Sequence, residues 1–163
     1  MKQLTLIRHA KSSWKLTSLE DSWRPLSRRG YRQLQEMAEH VPRQGLWLVS
    51  PAVRTYASAH VLRRLAGLPM VGMQLDERLY ETSGSHLLSL LQDLDDGDEQ
   101  VTLVGHNPGL DELAGLLLPA PIQSLSTGAV LTLYLTITRW AECRAGCGRM
   151  VGCVFPSTHS GES

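Results

Sequence analysis

Short apolar-rich segments alternate with longer amphipathic segments along this chain, and the alternation constrains the fold more than any other feature. Residues 4–7, 46–49 and 101–104 have a length that suits a buried strand but not a helix. The stretches between them carry apolar residues at helical spacing. Such a pattern is typical of α/β domains. We therefore expect a three-layer α/β/α sandwich around a mostly parallel, mixed sheet.

Four helices are predicted from capping residues and apolar spacing. The first is capped by Ser27 and runs to about His40. The second starts at Ser50-Pro51, with the proline at the first helical position. Two more cover residues 87–94 and 110–118. The positions expected to face the core are Leu34, Met37, Ala38 and Val41 in the first helix and Val53, Ala57, Val61 and Leu65 in the second.

The remaining strands are expected near residues 71–74, 130–137 and 150–155. The last two are separated by a glycine-rich turn, which predicts an antiparallel pair at the end of the chain. No internal repeat, long linker or low-complexity segment divides the sequence. Residues 1–163 are therefore predicted to form one domain.

The overall composition argues against several classes of protein. Sixteen Lys and Arg balance sixteen Asp and Glu, which disfavours a general binder of nucleic acid or of anionic membranes. No apolar run approaches the roughly 18 residues of a membrane helix, and the N-terminus is typical of a strand rather than of a signal peptide. Three cysteines are too few for a disulfide framework. We expect a cytoplasmic protein with reduced thiols.

The neutral total conceals an uneven distribution of charge. Residues 1–64 contain twelve of the sixteen basic residues and only four acidic ones, a formal excess of eight positive charges. Two solvated faces that attract each other would explain this asymmetry without a specific role. The alternative is an anion-binding site built mainly by the first part of the chain.

Basic side chains follow three of the predicted strands. Arg8-His9 ends the first strand, Arg54 lies within one helical turn of the second, and His106 follows the strand at 101–104. Ligands of parallel α/β sheets bind at the carboxyl ends of the strands, so these groups are expected to converge. Guanidinium groups bind phosphate oxygens in pairs, and a neutral imidazole can attack phosphorus. The set suits phosphoryl transfer.

Each of these residues also has a structural interpretation. A histidine beside a strand is more often a hydrogen-bonded structural residue than a catalyst, and Arg54 alone could be an ion-pair residue. Only the common position at the strand ends favours function. The other histidines, which have no such position and no assigned role, are His40, His60, His86 and His159.

Five sequence blocks resemble the histidine phosphatase superfamily, which has a phosphoglycerate mutase-like fold, and in particular its short bacterial phosphohistidine phosphatases. The blocks are LIRHA (6–10), SPAVR (50–54), LYE (79–81), VGHNPG (104–109) and STGA (126–129). They occur in the family's order over residues 1 to about 135. The segment after Arg54 departs from the family pattern, which puts the pocket wall around Tyr56 in doubt.

The resemblance implies a role for each basic residue. His9 would be the nucleophile, Arg8 and Arg54 would hold the phosphoryl oxygens, and His106 would donate to one of them. Asn107 is predicted to contact the substrate as well. Water would then hydrolyse phospho-His9, without a metal or other cofactor. The resemblance also leads us to expect a phosphatase that acts in phosphohistidine signal transduction.

The proton donor to the leaving group is expected to be a carboxylic acid. Glu81 of the LYE block is favoured over Glu77, and a functional acid would have to be partly desolvated. The alternative is that both glutamates are surface residues paired with Arg78.

The expected substrate is phosphohistidine in a protein, because so short a chain leaves an open crevice. A small phosphomonoester is the second candidate. A mutase is disfavoured because it needs a lid that excludes water. A module that binds phosphate without turnover remains a further alternative, although the nucleophile and both arginines are present.

The C-terminal part contains a competing motif. Cys143 and Arg149 have the spacing of the cysteine phosphatase loop, but a strand follows them where that loop requires a helix, and Glu142 precedes the cysteine. A zinc site from Cys143, Cys147, Cys153 and His159 is weaker still, because their spacing is irregular.

Overall fold

A computed structural model describes residues 1–157, and a six-stranded sheet forms its centre. The strands are β1 (Lys2–Arg8), β2 (Leu46–Val49), β3 (Met73–Leu75), β4 (Gln100–Gly105), β5 (Val130–Leu135) and β6 (Gly148–Val154). Their order across the sheet is β3-β2-β4-β1-β5-β6. The pairs β3–β2, β2–β4 and β4–β1 are parallel, whereas β5 is antiparallel to both β1 and β6. The predicted mixed sheet with a terminal antiparallel pair is confirmed.

Four α-helices connect these strands: α1 (Arg28–Met37), α2 (Val53–Leu65), α3 (Gly84–Gln92) and α4 (Gly109–Leu117). Ser27 caps α1 as predicted, since its side chain accepts a hydrogen bond from the amide of Gly30. A 3-10 turn then extends α1 to His40, where the sequence placed its end. Ser83 caps α3 in the same way, through the amide of His86.

The sheet carries an apolar core on each face. Leu4 and Leu6 of β1 pack against α3 and α4 on one face, and Ile7 packs against α1 and α2 on the other. Alternate residues of a strand point to opposite faces, which is why neighbouring side chains of β1 belong to different cores. The expected three-layer α/β/α arrangement is therefore present.

The predicted buried face of α2 is only partly correct: Ala57 and Val61 pack against the core, whereas Leu65 does not. Leu65 is 50% exposed, and Val53, Ala57 and Val61 are only partly buried. The residues that α2 buries are Arg54, Thr55, Ser58, Ala59, Leu62 and Arg63. The hydroxyl groups of Thr55 and Ser58 donate to backbone carbonyls, which makes their burial tolerable. Apolar spacing cannot identify a helix face that is largely polar.

The start of α2 also differs from the prediction. The helix begins at Val53, because the amide of Ser50 still donates to the carbonyl of Val104 and keeps that residue attached to the sheet. Pro51 thus lies in the turn before the helix rather than at its first position. The strand at residues 46–49 has the predicted bounds, and the ends of the other elements differ from the prediction by at most three residues, as is usual for frayed boundaries.

No helix within residues 1–157 combines the length and apolar character needed to cross a membrane. All six strands belong to one sheet. The assignment of residues 1–163 to one domain stays a prediction.

Candidate active site

The carboxyl ends of β1, β4 and β2 bring the predicted residues together at one edge of the sheet. The amide of His9 donates to the carbonyl of Gly105 (3.1 Å), which holds the residue after β1 beside the end of β4. The imidazole of His106 follows directly, and the centroids of the two rings are 5.3 Å apart. Arg54 reaches the same edge from the first turn of α2. This is the position that a parallel sheet gives to its ligands.

A hydrogen bond fixes the tautomer of His9. Its Nδ1 lies 2.7 Å from the carbonyl oxygen of Ala10, which can only accept, so Nδ1 carries the proton and Nε2 has a free lone pair. The amide of Ala10 in turn donates to Ser58 Oγ (2.9 Å), and Ser58 donates to the carbonyl of Arg54. The polar face of α2 therefore orients the imidazole. His9 is buried, with 7% of its surface exposed.

The surroundings of His9 favour the neutral ring. Burial lowers its pKa most, and the positive charges of Arg54, Arg8 and Arg24 lower it further, whereas the hydrogen bond to Ala10 raises it; the resulting pKa is about 4. The imidazole is therefore uncharged near neutral pH, and Nε2 is available as a nucleophile.

This low pKa predicts the acid limb of any reaction in which His9 attacks. Activity requires neutral His9, so kcat/KM should remain high as the pH falls through 6.5 and decline only near pH 4. The measurement is kcat/KM for an aryl phosphate between pH 3.5 and 8. Circular dichroism at each pH serves as the control, because the unfolded chain takes up the proton first and stability decreases from about pH 6.5 downward. An acid limb at pH 6.5 in folded protein would contradict the assignment.

His106 is held by two neighbours. Its Nε2 lies 2.7 Å from the buried Ser50 Oγ, and the ring of Tyr80 packs edge-on against it at 5.4 Å. Its Nδ1 is buried and has no hydrogen-bond partner among residues 1–157. Burial, followed by the proximity of His9 and Arg54, lowers the pKa of His106 to about 3. The ring is neutral and has one nitrogen left for a ligand.

Arg54 binds a carboxylate that the sequence did not predict to be in the site. Its Nη2 lies 2.9 Å from Asp21 Oδ2, and its Nη1 donates to the backbone carbonyl of the same residue (2.8 Å). Asp21 also accepts from the hydroxyl of Tyr80 (2.8 Å) and pairs with Arg24 (3.2 Å). Asp21 therefore links both arginines to the tyrosine that contacts His106.

The carboxylate of Asp21 is ionised. Burial raises its pKa, but hydrogen bonds from Tyr80 and Arg54, the charge of Arg54 and a hydrogen bond from Arg24 outweigh this effect and bring the pKa to about 2. Asp21 begins a 3-10 turn (Asp21–Trp23) in the long loop before α1, and Arg24 follows the turn directly. Their only sequence signal is the clustering of charge, because a loop has no periodicity that predicts where it packs.

Arg8 and Asn107 meet at the carbonyl of Leu125. Arg8 Nη1 donates to it at 2.8 Å and Asn107 Nδ2 at 3.0 Å. Asn107 Oδ1 accepts from the amide of Asp111 in the first turn of α4. The amide of Gly128, at φ +79°, donates to the carbonyls of Arg8 and His9, so the STGA block closes the site from the side of β5.

The two glutamates predicted as proton donors are exposed to solvent. Glu81 follows Tyr80 with a left-handed backbone (φ 49°), whereas Glu77 begins a 3-10 turn (Glu77–Leu79). Neither has the partial desolvation expected of a functional acid. Their suggested pairing with Arg78 is wrong, because Arg78 binds Asp76 at 2.7 Å.

Tyr56, where the sequence departs from the family pattern, is 42% exposed on α2. Its ring stacks on His60 with the centroids 6.0 Å apart. It therefore lies on the outer surface of the helix and not on the face of α2 that holds His9.

The cysteine motif does not form a phosphatase loop. Cys143 and Cys147 are buried with their sulfur atoms 3.9 Å apart, and β6 follows them instead of a helix. Burial and then the neighbouring Cys147 raise the pKa of Cys143 to about 12, which disfavours the thiolate. No group of three or more potential metal ligands occurs within the described part of the chain, and His159 of the zinc alternative lies outside it.

Comparisons with known proteins identify a sequence relative and several solved structures with the same fold. An uncharacterized chloroplastic protein of Arabidopsis thaliana is 28% identical over 173 residues, which covers 96% of this chain and 79% of the relative. Among solved structures, a protein described as a phosphohistidine phosphatase, SixA of Nakamurella multipartitia, has a TM-score of 0.79 at 19% identity, covering 96% of this chain and 97% of its own.

Two further solved structures share the fold. The protein histidine phosphatase SixA in complex with tungstate has a TM-score of 0.77 at 23% identity and covers 94% of this chain and 97% of its own. A mycobacterial glucosyl-3-phosphoglycerate phosphatase has a TM-score of 0.68 at 18% identity, with 98% and 100% covered. The sequence model of the histidine phosphatase superfamily (branch 1) matches residues 4–90, which is more than half of the chain. The chain belongs to the histidine phosphatase superfamily (branch 1).

Proposed function

We propose that this protein is a metal-independent phosphatase that works through a phosphohistidine intermediate on His9. The observation that carries the proposal is the free lone pair of His9 Nε2 beside cationic and donor groups. The unpartnered buried nitrogens at this edge are Nε of Arg8, Nε of Arg54 and Nδ1 of His106. An anion with several oxygens is the ligand that could accept hydrogen bonds from all three.

The proposed reaction has two displacement steps. In the first, Nε2 of His9 forms a bond to phosphorus while the bond to the leaving group breaks, and the leaving group takes a proton from Glu81 or from solvent water. In the second, water attacks the phosphorus of phospho-His9, which releases inorganic phosphate and the neutral ring. Arg8, Arg54 and His106 stabilise the negative charge that spreads over three phosphoryl oxygens in each transition state. Asn107 supports the site by holding the turn at 105–109.

Asp21 gives Arg54 a defined orientation in this scheme. Two of the three guanidinium nitrogens of Arg54 bind Asp21, and Nε remains for the substrate. A negative charge so close to the phosphate would weaken anion binding if it were not neutralised. The positive charge of Arg24 provides that neutralisation, and the Tyr80 hydroxyl donates a hydrogen bond to the same carboxylate.

The proposed substrate is phosphohistidine in a protein, and the proposed setting is a reducing cytoplasm in which such groups serve signal transduction. The similarity to two SixA proteins supports the substrate class. The free thiols of all three cysteines agree with a reducing compartment. The second candidate is a small phosphomonoester, which the similarity to the mycobacterial sugar-phosphate phosphatase favours.

The test compares two substrates in the presence of EDTA: a phosphohistidine peptide and an aryl phosphate. The proposal expects a higher kcat/KM for the peptide. Its nitrogen–phosphorus bond breaks with less help from a proton donor, and the two candidate donors, Glu77 and Glu81, are both exposed to solvent. A higher kcat/KM for small esters would replace the proposed substrate with the second candidate. Loss of both activities in EDTA would contradict the metal-independent mechanism.

The role of Glu81 can be tested with the same pair of substrates. If Glu81 protonates an ester oxygen, Glu81→Gln lowers kcat for the aryl phosphate by about tenfold and leaves the phosphohistidine peptide unaffected. Glu77→Gln is the matched control, since it removes an exposed carboxylate four residues earlier. Equal rates for both variants and the wild type would remove Glu81 from the mechanism.

A further inference from the structure

A basic groove adjoins the proposed active site. It has a volume of about 1130 Å³ and is lined by the loop after His9 and by the start of α1. Its cationic residues are Lys11, Lys15, Arg28, Arg29 and Arg32. The loop after His9 also contributes the small polar side chains Ser12 and Ser13 to its lining. The charge excess of residues 1–64 is thus partly concentrated on one surface.

Two of these cations are exposed and have no ion-pair partner in the part of the chain that the structure describes. They are Lys15, in the loop, and Arg28, the first residue of α1. The loop contains two acidic residues: Asp21 is already bound to Arg54 and Arg24, and the exposed Glu20 forms no ion pair with Lys15 or Arg28 within residues 1–157. The groove therefore presents positive charge that the chain itself does not neutralise.

Large apolar side chains accompany the charges. Trp14 is 64% exposed and Leu16 is 59% exposed, and both line the groove. One face of the Trp14 ring is covered by the guanidinium of Arg24 at 3.5 Å. Exposed tryptophan and arginine side chains are enriched in protein–protein interfaces. A small phosphate ester would not use so long a combination of apolar and cationic groups.

The groove begins beside the catalytic edge, because two of its lining residues come directly after the segment that carries His9. Lys11 and Ser12 follow His9 by two and three residues. Arg24, which holds Asp21, donates to Ser12 Oγ at 2.6 Å. A polypeptide with its phosphorylated side chain at His9 would therefore have its flanking residues along this surface.

We propose that the groove binds an acidic segment of the phosphoprotein substrate. An apolar residue of that segment would pack against Trp14. The inference rests on the proposed function, because it requires the substrate to be a polypeptide. Charge complementarity supplies the selectivity: residues on the substrate that flank the phosphohistidine meet Lys15 and Arg28. The effect is expected mainly in KM, since these cations lie outside the reacting groups.

The test uses two phosphohistidine peptides of equal length, one flanked by Glu, Asp and Leu and the other by Ser, Gln and Leu. The wild type should show a kcat/KM about tenfold higher for the acidic peptide at low salt, and the difference should shrink at high salt. The double variant Lys15→Glu/Arg28→Glu should lose the preference and retain its aryl phosphatase activity.

The matched control is Arg43→Glu/Arg64→Glu, which changes the net charge equally at exposed positions near the opposite edge of the sheet. It should keep the preference. Equal kcat/KM for the two peptides in the wild type would overturn the docking proposal and leave the phosphatase function intact. Equal loss of the preference in both double variants would overturn it too, because the general field of the protein would then be responsible.

Binding without chemistry separates this inference from the proposed function. The acidic peptide with unmodified histidine is titrated calorimetrically into the wild type and both double variants. Binding that is lost only in Lys15→Glu/Arg28→Glu would support docking even if no phosphohistidine peptide were hydrolysed. Absence of binding in the wild type would contradict docking whatever the turnover.

Discussion

His9→Ala is expected to lower kcat/KM by about 10⁴-fold or more, for peptide and aryl substrates alike. The variant lacks the imidazole, whose Nδ1 is bound to the carbonyl of Ala10 and whose Nε2 is the proposed nucleophile. The measurement is steady-state hydrolysis together with rapid quenching of the reaction with ³²P-labelled substrate. Label on the wild type should be stable to alkali and labile to acid, as expected for phosphohistidine, and His9→Ala should carry none.

Two control variants each remove a potential nucleophile that lies elsewhere in the fold. His86→Ala removes an exposed histidine on α3, and Cys143→Ser removes the thiol of the competing motif. Both should retain full activity. Loss of activity in Cys143→Ser with an active His9→Ala would overturn the histidine mechanism. An inactive wild type that still binds phosphate would establish the binding module instead.

Arg54→Ala is expected to lower kcat/KM by about 100- to 1,000-fold, because it removes a fixed charge from the phosphoryl group in the transition state. The same substitution releases Asp21, which loses two of its hydrogen-bond contacts. Arg54→Lys should recover only a small part of the loss, because an ammonium carries its donors on one nitrogen and cannot reproduce the planar group that binds Asp21 through two nitrogens and leaves Nε for the substrate.

A second substitution separates the two effects of Arg54. In Arg54→Ala/Asp21→Asn, the carboxylate that was left near the phosphate is neutral, so part of the loss should be recovered in KM but not in kcat. Arg64→Ala, on the exposed surface of the same helix, is the control and should leave kcat and KM unchanged. Full recovery of kcat in the double variant would contradict a direct role of Arg54 in the transition state.

The sheet and the basic residues at its edge were predictable because their signals are local. Short apolar segments specify strands, and the residue that follows a parallel strand lies at the ligand-binding edge whatever the rest of the chain does. His9 and His106 could therefore be singled out from two stretches almost a hundred residues apart. The cap at Ser27 was equally readable, since it depends on only four consecutive residues.

The buried face of α2 shows where such local signals fail. Ser58 is buried because the amide of Ala10 needs an acceptor, a requirement set by a segment 48 residues away in the sequence. Apolar spacing instead favoured Leu65, which is half exposed. A polar side chain that is buried for a hydrogen bond has no periodic signature.

The sequence alone determined the fold class, the family resemblance and the positions at which the basic residues meet, because each depends on short-range pattern or on strand ends. Only the tertiary structure decided which nitrogen of His9 is free, that Asp21 and Arg24 complete the site, and that the cations of residues 11–32 share a groove. These properties depend on loop packing, on burial and on contacts between residues far apart in the chain. None of these produces a periodic pattern in the sequence.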